Sequence, residues 1–312
     1  MGQADDFLSS FYAYYPKAKA GQLTLDELNR CMKEHQERLN NRPIDDFDGI
    51  SPNQMLVLQR EGLSDQCVLG FKPSIDQFID HVPLFKLSEL LLQTISQAGQ
   101  LKLTVKGNLP VKVCEQLFNL QLIKWPYMEY VKRIREEEIP YLWPLKQYLL
   151  DEGIAKKRGN ALSLTKYGEK LLFGPATARF KTLFFFFTGR FNWNNLYDID
   201  DNGWCGQFGW AYSLLLLSRY GSAPLENEFY GTKHMIAFQK QLYEKRKEPQ
   251  YKESITLYHR AYAIRFMENF ADWFGLVNIE RRKNLQISFF DQFIITKSTL
   301  FDNLLQEVKS EK

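Results

Sequence analysis

The stretch LLDEGIAKKRGNALSLTKYGEKLL, Leu149 to Leu172, decides the fold, and its grammar returns in WFGLVNIERRKNLQISFFDQFIITKSTLFDNLL, Trp273 to Leu305. Each copy leaves the end of an apolar-periodic helix through a glycine, alternates along a short strand and turns on basic residues. Each then returns along a second strand, reaches a threonine and enters another helix. Gly153 and Gly275 suit the left-handed position that closes a helix, and Arg158-Gly159-Asn160 suits a tight hairpin turn. Helix, two-stranded hairpin and helix in this order is the expectation for a winged helix, and two copies imply a tandem arrangement.

Working outward, LFKLSELLLQTISQAG after Val82 has helical periodicity closed by Gly99, and LKLT alternates as a strand. GNLPVKVCEQLFN opens a second helix near Pro110, and Glu136 to Asp151 is expected to form the third. In the second copy, FKTLFFFFTGRF and GQFGWAYSLLLLSRYGS are expected as buried helices and ENEFYGTKHMIAFQKQLYEKRK as another. Ser254 to Trp273 is the counterpart of the third helix, and Ile294, Ile295 and Thr296 are matched with Leu162, Leu164 and Thr165. Upstream, DDFDGISPNQMLVLQREG is a capped helix: Ser51 as N-cap, Pro52 at the first helical position, Met55, Leu56 and Leu58 apolar, Gly62 at the end. The fold expected is mainly α (α+β), with a helical N-terminal arm over 1–80 and winged-helix-like domains over 81–174 and 175–312.

Composition agrees with a globular chain and narrows its chemistry. Of 312 residues, 45% are hydrophobic and 15% aromatic, enough to fill more than one core. The net charge is only +3, from 40 basic and 37 acidic residues, so any affinity for nucleic acid has to come from local patches. Cys31, Cys67, Cys114 and Cys205 stand far apart without a CxxC pair, the pattern of reduced thiols and not of disulfides or structural zinc. The N-terminus lacks a basic segment followed by an apolar run, and no apolar run approaches the ~18 residues of a membrane span. A cytoplasmic protein with no membrane partner and no cofactor is the expectation.

DDFDGISPNQM, LKLTVKGNLP and ALSLTKYGEKLL together resemble a group of uncharacterised bacterial proteins, plasmid-borne reading frames and their chromosomal relatives with winged-helix-like sequence. Some resemble proteins ending in a Cys- and His-rich metal-binding tail, whereas this chain ends in DNLLQEVKSEK. The resemblance covers roughly the first half and implies architecture, not an activity.

Two partner classes follow from a winged helix. In nucleic-acid recognition the third helix offers polar side chains to base edges while the wing contacts phosphate. The candidate contacts are Lys156, Lys157 and Arg158 on the first wing, Lys146 and Gln147 on its third helix, Arg260 and Arg265 on the second, and Arg281, Arg282 and Lys283 on the second wing. Against this stand Glu136, Glu137 and Glu138 at the leading end of the first third helix, and Glu268 and Asp272 on the second. That first helix is expected to turn Leu142, Leu145 and Leu149 inward and Tyr141, Pro144, Gln147 and Tyr148 outward. The alternative is a protein-interaction scaffold with no DNA contact, which the aromatics Trp125, Tyr127, Tyr130, Tyr141 and Trp143 suit equally.

Two further motifs open well and then break. DIDDNG supplies Asp198, Asp200 and Asn202 in calcium-loop spacing, but the twelfth position is Gly209 where a bidentate Glu is required. GWCGQFGWAYS resembles the strand-to-helix signature of papain-like proteases, with Phe208 where the nucleophilic cysteine would stand. A hydrolase using Cys205 is thus the third and most distant reading. No phosphate-binding glycine loop occurs. Catalytic residues and metal ligands are therefore expected to be none, and a non-catalytic binding module is the function expected.

Overall fold

A computed structural model describes residues 3–124, 131–196, 205–283 and 291–308. The chain is mainly helical with small antiparallel sheets, and it forms two compact units, Met1–Gly62 and Leu63–Lys312.

The first unit contains α1 (Gln3–Tyr14), α2 (Pro16–Lys19), α3 (Leu25–Asn41) and α4 (Pro52–Glu61). Thr24 and Ser51 each form a capping box, with Glu27 and Gln54 returning the bond, so the starts of α3 and α4 satisfy their own exposed amides. Gly62, at φ +64°, ends α4 as the sequence predicts. Phe7, Phe11, Tyr14 and Tyr15 surround the buried ring of His35, whose Nε2 lies 3.0 Å from Ser10 Oγ.

The second unit begins at Leu63, not near residue 81, because β1 (Leu69–Phe71) pairs antiparallel with β8 (Leu305–Glu307) and so ties residues 63–80 to the end of the chain. Between these strands one order of elements occurs twice. First come α5 (Pro83–Ala98), β2 (Leu101–Lys102), α6 (Val111–Phe118), α7 (Leu142–Asp151), β3 (Ala155–Arg158), β4 (Ala161–Leu164) and α8 (Lys166–Leu172). After α9 (Ala176–Phe185) and its π-helical continuation Phe186–Arg190, the order returns with α10 (Trp210–Tyr220), β5 (Leu225–Glu226) and α11 (Asn227–Phe238). It continues through α12 (Lys240–Glu244) and α13 (Lys252–Tyr262), which runs on as a π-helix over Ala263–Asp272, to β6 (Val277–Lys283), β7 (Asp291–Lys297) and α14 (Thr299–Leu304).

The two sheets, β2-β4-β3 and β5-β7-β6, share one strand order and register. Leu101, Leu162 and Lys157 align across the first sheet as Leu225, Ile295 and Ile279 do across the second. The hinge of each hairpin is built alike. Thr165 Oγ1 donates to the Gly153 carbonyl at 2.6 Å and accepts from Gly168 N, while Ser298 Oγ donates to the Gly275 carbonyl at 2.6 Å and accepts from Phe301 N. Gly153 and Gly275 take φ +66° and +68°, conformations that only glycine adopts without cost. Ser298, not Thr296, is therefore the counterpart of Thr165. Thr296 lies two residues earlier in β7 and aligns with Ser163.

The halves meet through an aromatic core. Phe184 lies edge-on to Phe71, Trp210, Phe270 and Phe274 at 5.2–5.6 Å, the geometry that aromatic quadrupoles favour. Tyr148 and Trp143 of α7 pack on Phe186 and Phe191, and Tyr141 packs on Trp273.

Candidate functional site

The third helix of the first half runs Leu142–Asp151, and Glu136 to Ile139 form turns before it. Its expected exposed side is interior: Tyr141 is 1% and Tyr148 3% exposed, and Pro144 is buried with them. Only Trp143, Gln147 and Leu150 within Tyr141 to Leu150 are half-exposed. The reason is the segment that follows α9 and the end of the second third helix: Phe186 and Phe191 pack on Tyr148 and Trp143, and Trp273 packs on Tyr141, covering the face that a separate winged helix would leave in water.

Lys146, a candidate base contact, is also buried. Its ammonium pairs with Glu136 and donates to the Gly107 carbonyl at 3.1 Å, while Glu136 accepts from Leu109 N at 2.6 Å. Lys146 thus fastens the GNL turn (107–109) and has no surface to offer a phosphate. Glu137 accepts from Asn108 Nδ2 on the same turn. Two of the three carboxylates expected at the helix entrance therefore serve the turn, and Glu138 stays exposed.

In the second half, Arg265 is 0% exposed and its guanidinium donates to Asn194 Oδ1, so it too is removed from any external partner. Arg260 is half-buried on α13. Arg281 turns inward, pairs with Glu268 and lies over the Phe293 ring at 4.7 Å. Arg282 is exposed but held by Glu280 at 2.8 Å, and with Glu226 near it the guanidinium is held above its ordinary pKa. The side chain of Lys283, together with Trp125, Tyr127, Tyr130, Asp198, Asp200 and Asn202, lies outside the described residues. Among the described residues no group of three His, Cys, Asp or Glu could hold a metal ion.

The first hairpin is different. Strand alternation and register put Lys102, Ala161 and Arg158 in one row on the outer face, with Ser163 and Lys156 in the next, opposite the buried Leu162, Leu164 and Ala155. Among the described residues no carboxylate pairs with Lys102, Lys156 or Arg158. Lys157 points the other way, toward the 104–107 turn, where its Nζ fills the space beside Gly107. Lys102 is missing from the sequence-derived candidates because LKLT alone does not reveal which strand it joins.

Around Cys205 the polar groups are interior. Cys205 is 0% exposed and its thiol contacts the Tyr258 carbonyl at 3.5 Å. His234 has both ring nitrogens engaged, Nδ1 with Tyr258 Oη at 2.7 Å and Nε2 with the Phe208 carbonyl at 2.8 Å. The carbonyl can only accept, so Nε2 carries the proton and Nδ1 accepts from the phenol. Burial drives the His234 pKa down to about 4. That imidazole has no nitrogen left to activate a thiol, and the papain-like arrangement does not assemble on it. Two open surface clefts, of about 360 and 420 Å³, are lined by Asn108, Glu137, Trp143 and Asn195 and by Val111, Glu115, Lys132 and Arg133, without a serine, cysteine or histidine.

Compared with protein-family models, with curated proteins and with solved structures, the chain gives no match.

Proposed function

We propose that this chain is a non-catalytic binding module in which two winged-helix-like units share an aromatic core that buries their third helices, so that it engages a macromolecular partner without reading base sequence. The observation that carries this reading is the burial of Tyr141, Lys146, Tyr148 and Arg265, at 1%, 6%, 3% and 0% exposure. A helix that reads the major groove must bring polar side chains within hydrogen-bond reach of base edges. Here those positions are occupied by contacts inside the unit. The repeated element order and the shared Thr165 and Ser298 hinges support the winged-helix-like description. Among the described residues no helix is long and apolar enough to cross a membrane.

The test is selection from a pool of random-sequence duplexes at low salt, followed by sequencing of the bound fraction. The expected result is retention, if any, without an enriched motif. An enriched motif that disappears in Gln147→Ala or Arg260→Ala would overturn the reading.

A further inference from the structure

The duplicated sheets carry opposite charge on corresponding outer positions. The row Lys102, Ala161, Arg158 corresponds in strand and register to Glu226, Ile294, Glu280, and Lys156 corresponds to Asn278. The first face therefore presents the exposed Lys102 and Arg158 and the half-exposed Lys156, and among the described residues no acid pairs with them. The second presents two carboxylates, with Arg282 bonded to Glu280 and close enough to Glu226 to feel its charge. The two sheets share a scaffold and carry opposite charge at these row positions.

Building on the proposed function, we infer that the outer face of the first sheet binds the phosphodiester backbone of duplex nucleic acid, through Lys102, Lys156 and Arg158, and that the second sheet does not. The geometry suits a charged backbone. Lys102 and Arg158 stand two strand spacings apart, about 10 Å, and Lys156 and Arg158 two residues apart, about 7 Å, so the cations form a flat triangle. Between them lie only Ala161 and Ser163, small enough for a backbone to approach closely. No large apolar side chain stands in these positions to anchor a lipid surface or the apolar centre of a protein interface.

Counterion release makes the inference quantitative. Three phosphate contacts to B-form DNA give a slope of log K against log salt of about −2.7, so affinity falls about 40-fold between 50 and 200 mM salt. The experiment measures anisotropy of labelled 20-base-pair random DNA and RNA duplexes with the full chain. The wild type should bind at least one of them at 20 mM salt with that slope. Lys102→Gln alone should flatten the slope by about 1, and the triple Lys102→Gln, Lys156→Gln, Arg158→Gln should weaken binding at least 10-fold at 50 mM. Glu226→Gln with Glu280→Gln should leave binding equal or stronger. Unchanged urea midpoints would show that the variants fold.

Absence of duplex binding at 20 mM salt, or binding untouched by the triple substitution, overturns the inference. Capture of polyglutamate without duplex binding overturns it in favour of an acidic protein partner. Self-association removed by Glu226→Gln and Glu280→Gln, again without duplex binding, overturns it in favour of a second copy of the chain. None of these results touches the reading of a module that does not read base sequence, which fails if a base motif is enriched.

Discussion

Lys146 and Glu136 form an ion pair inside the Leu63–Lys312 unit, with side chains 7% and 2% exposed. The pair joins α7 to the GNL turn, since Glu136 also accepts from Leu109 N and Lys146 also donates to the Gly107 carbonyl. Removing one member strands a buried charge, which costs more than the pair contributes as a whole. Lys146→Met is expected to destabilise the unit by about 3–5 kcal/mol. Lys146→Met with Glu136→Gln should cost less than the sum of the single changes, because the second change removes the stranded charge while keeping an acceptor for Leu109 N. Urea unfolding followed by tryptophan fluorescence checks this, as every tryptophan of the chain lies in Leu63–Lys312.

The same signal tests two histidines, His234 buried and His259 half-buried. Burial lowers both His234 and His259 from 6.5 to about 4. Between these values the unfolded chain binds the proton and the folded chain does not, so each histidine makes the unit less stable as pH falls from 6.5 towards 4. The loss is on the order of 3 kcal/mol for each ring at 1.36 kcal/mol per unit of pKa. His259→Gln keeps a partner for Thr232 Oγ1, which lies 3.2 Å from His259 Nε2. It should therefore flatten the decline by about half, and a decline of unaltered steepness would contradict the assignment.

Much of the second unit is legible in the sequence because its hinges are chemically explicit. Gly153, Gly159 and Gly275 announce positive φ, and alternation in ALSL and the β-branched run Ile294-Ile295-Thr296 announce strands. The third helices mislead for a definite reason. Periodicity around Leu142, Leu145 and Leu149 identifies one buried face, but a helix enclosed between its own hairpin and the aromatics Phe186, Phe191 and Trp273 buries its second face too. Tyr141 and Tyr148 are amphipathic enough to read as surface. Lys146 is the harder case, since a buried lysine is identified only by its partner, and Glu136 lies before the helix that carries Lys146. The charge inversion between the sheets escapes sequence reading as well. Lys102 and Glu226 sit on two-residue strands, and their importance appears only when register places them beside Arg158 and Glu280.

Two glycines around the first hairpin separate steric from conformational cost. A Cβ on Gly168 would lie 2.0 Å from the Ile154 carbonyl oxygen, so Gly168→Ala must push α8 off the hairpin. The expected loss is several kcal/mol, in the range of severe overpacking. Gly159, at the hairpin tip, has φ +56° and nothing within 4 Å of the same position. Gly159→Ala should cost only about 1 kcal/mol, the penalty of the left-handed conformation. Equal destabilisation by the two changes in urea titrations would contradict the close approach of α8.

Asp272 supplies a pH dependence of opposite sign. Burial raises its carboxyl to about 7 from 3.8, and Glu268 adds to the rise while Arg281 and Lys124 oppose it. The folded chain thus holds a proton that the unfolded chain releases. Its stabilising contribution is complete below 3.8 and is lost as pH rises through 7. Asp272→Asn mimics the protonated carboxyl at every pH, so it should stabilise the unit relative to the wild type most at pH 8 and less at pH 5. The difference between the two pH values should be on the order of 2–3 kcal/mol, at 1.36 kcal/mol for each pH unit between 5 and the folded value of about 7. In the same variant the acid-side decline due to His234 and His259 should steepen, because the opposing contribution of Asp272 between pH 4 and 6.5 is gone. A variant that is destabilised at pH 8 would instead mean that Arg281 stabilises the ionised carboxylate and that its pKa is not raised in the folded chain.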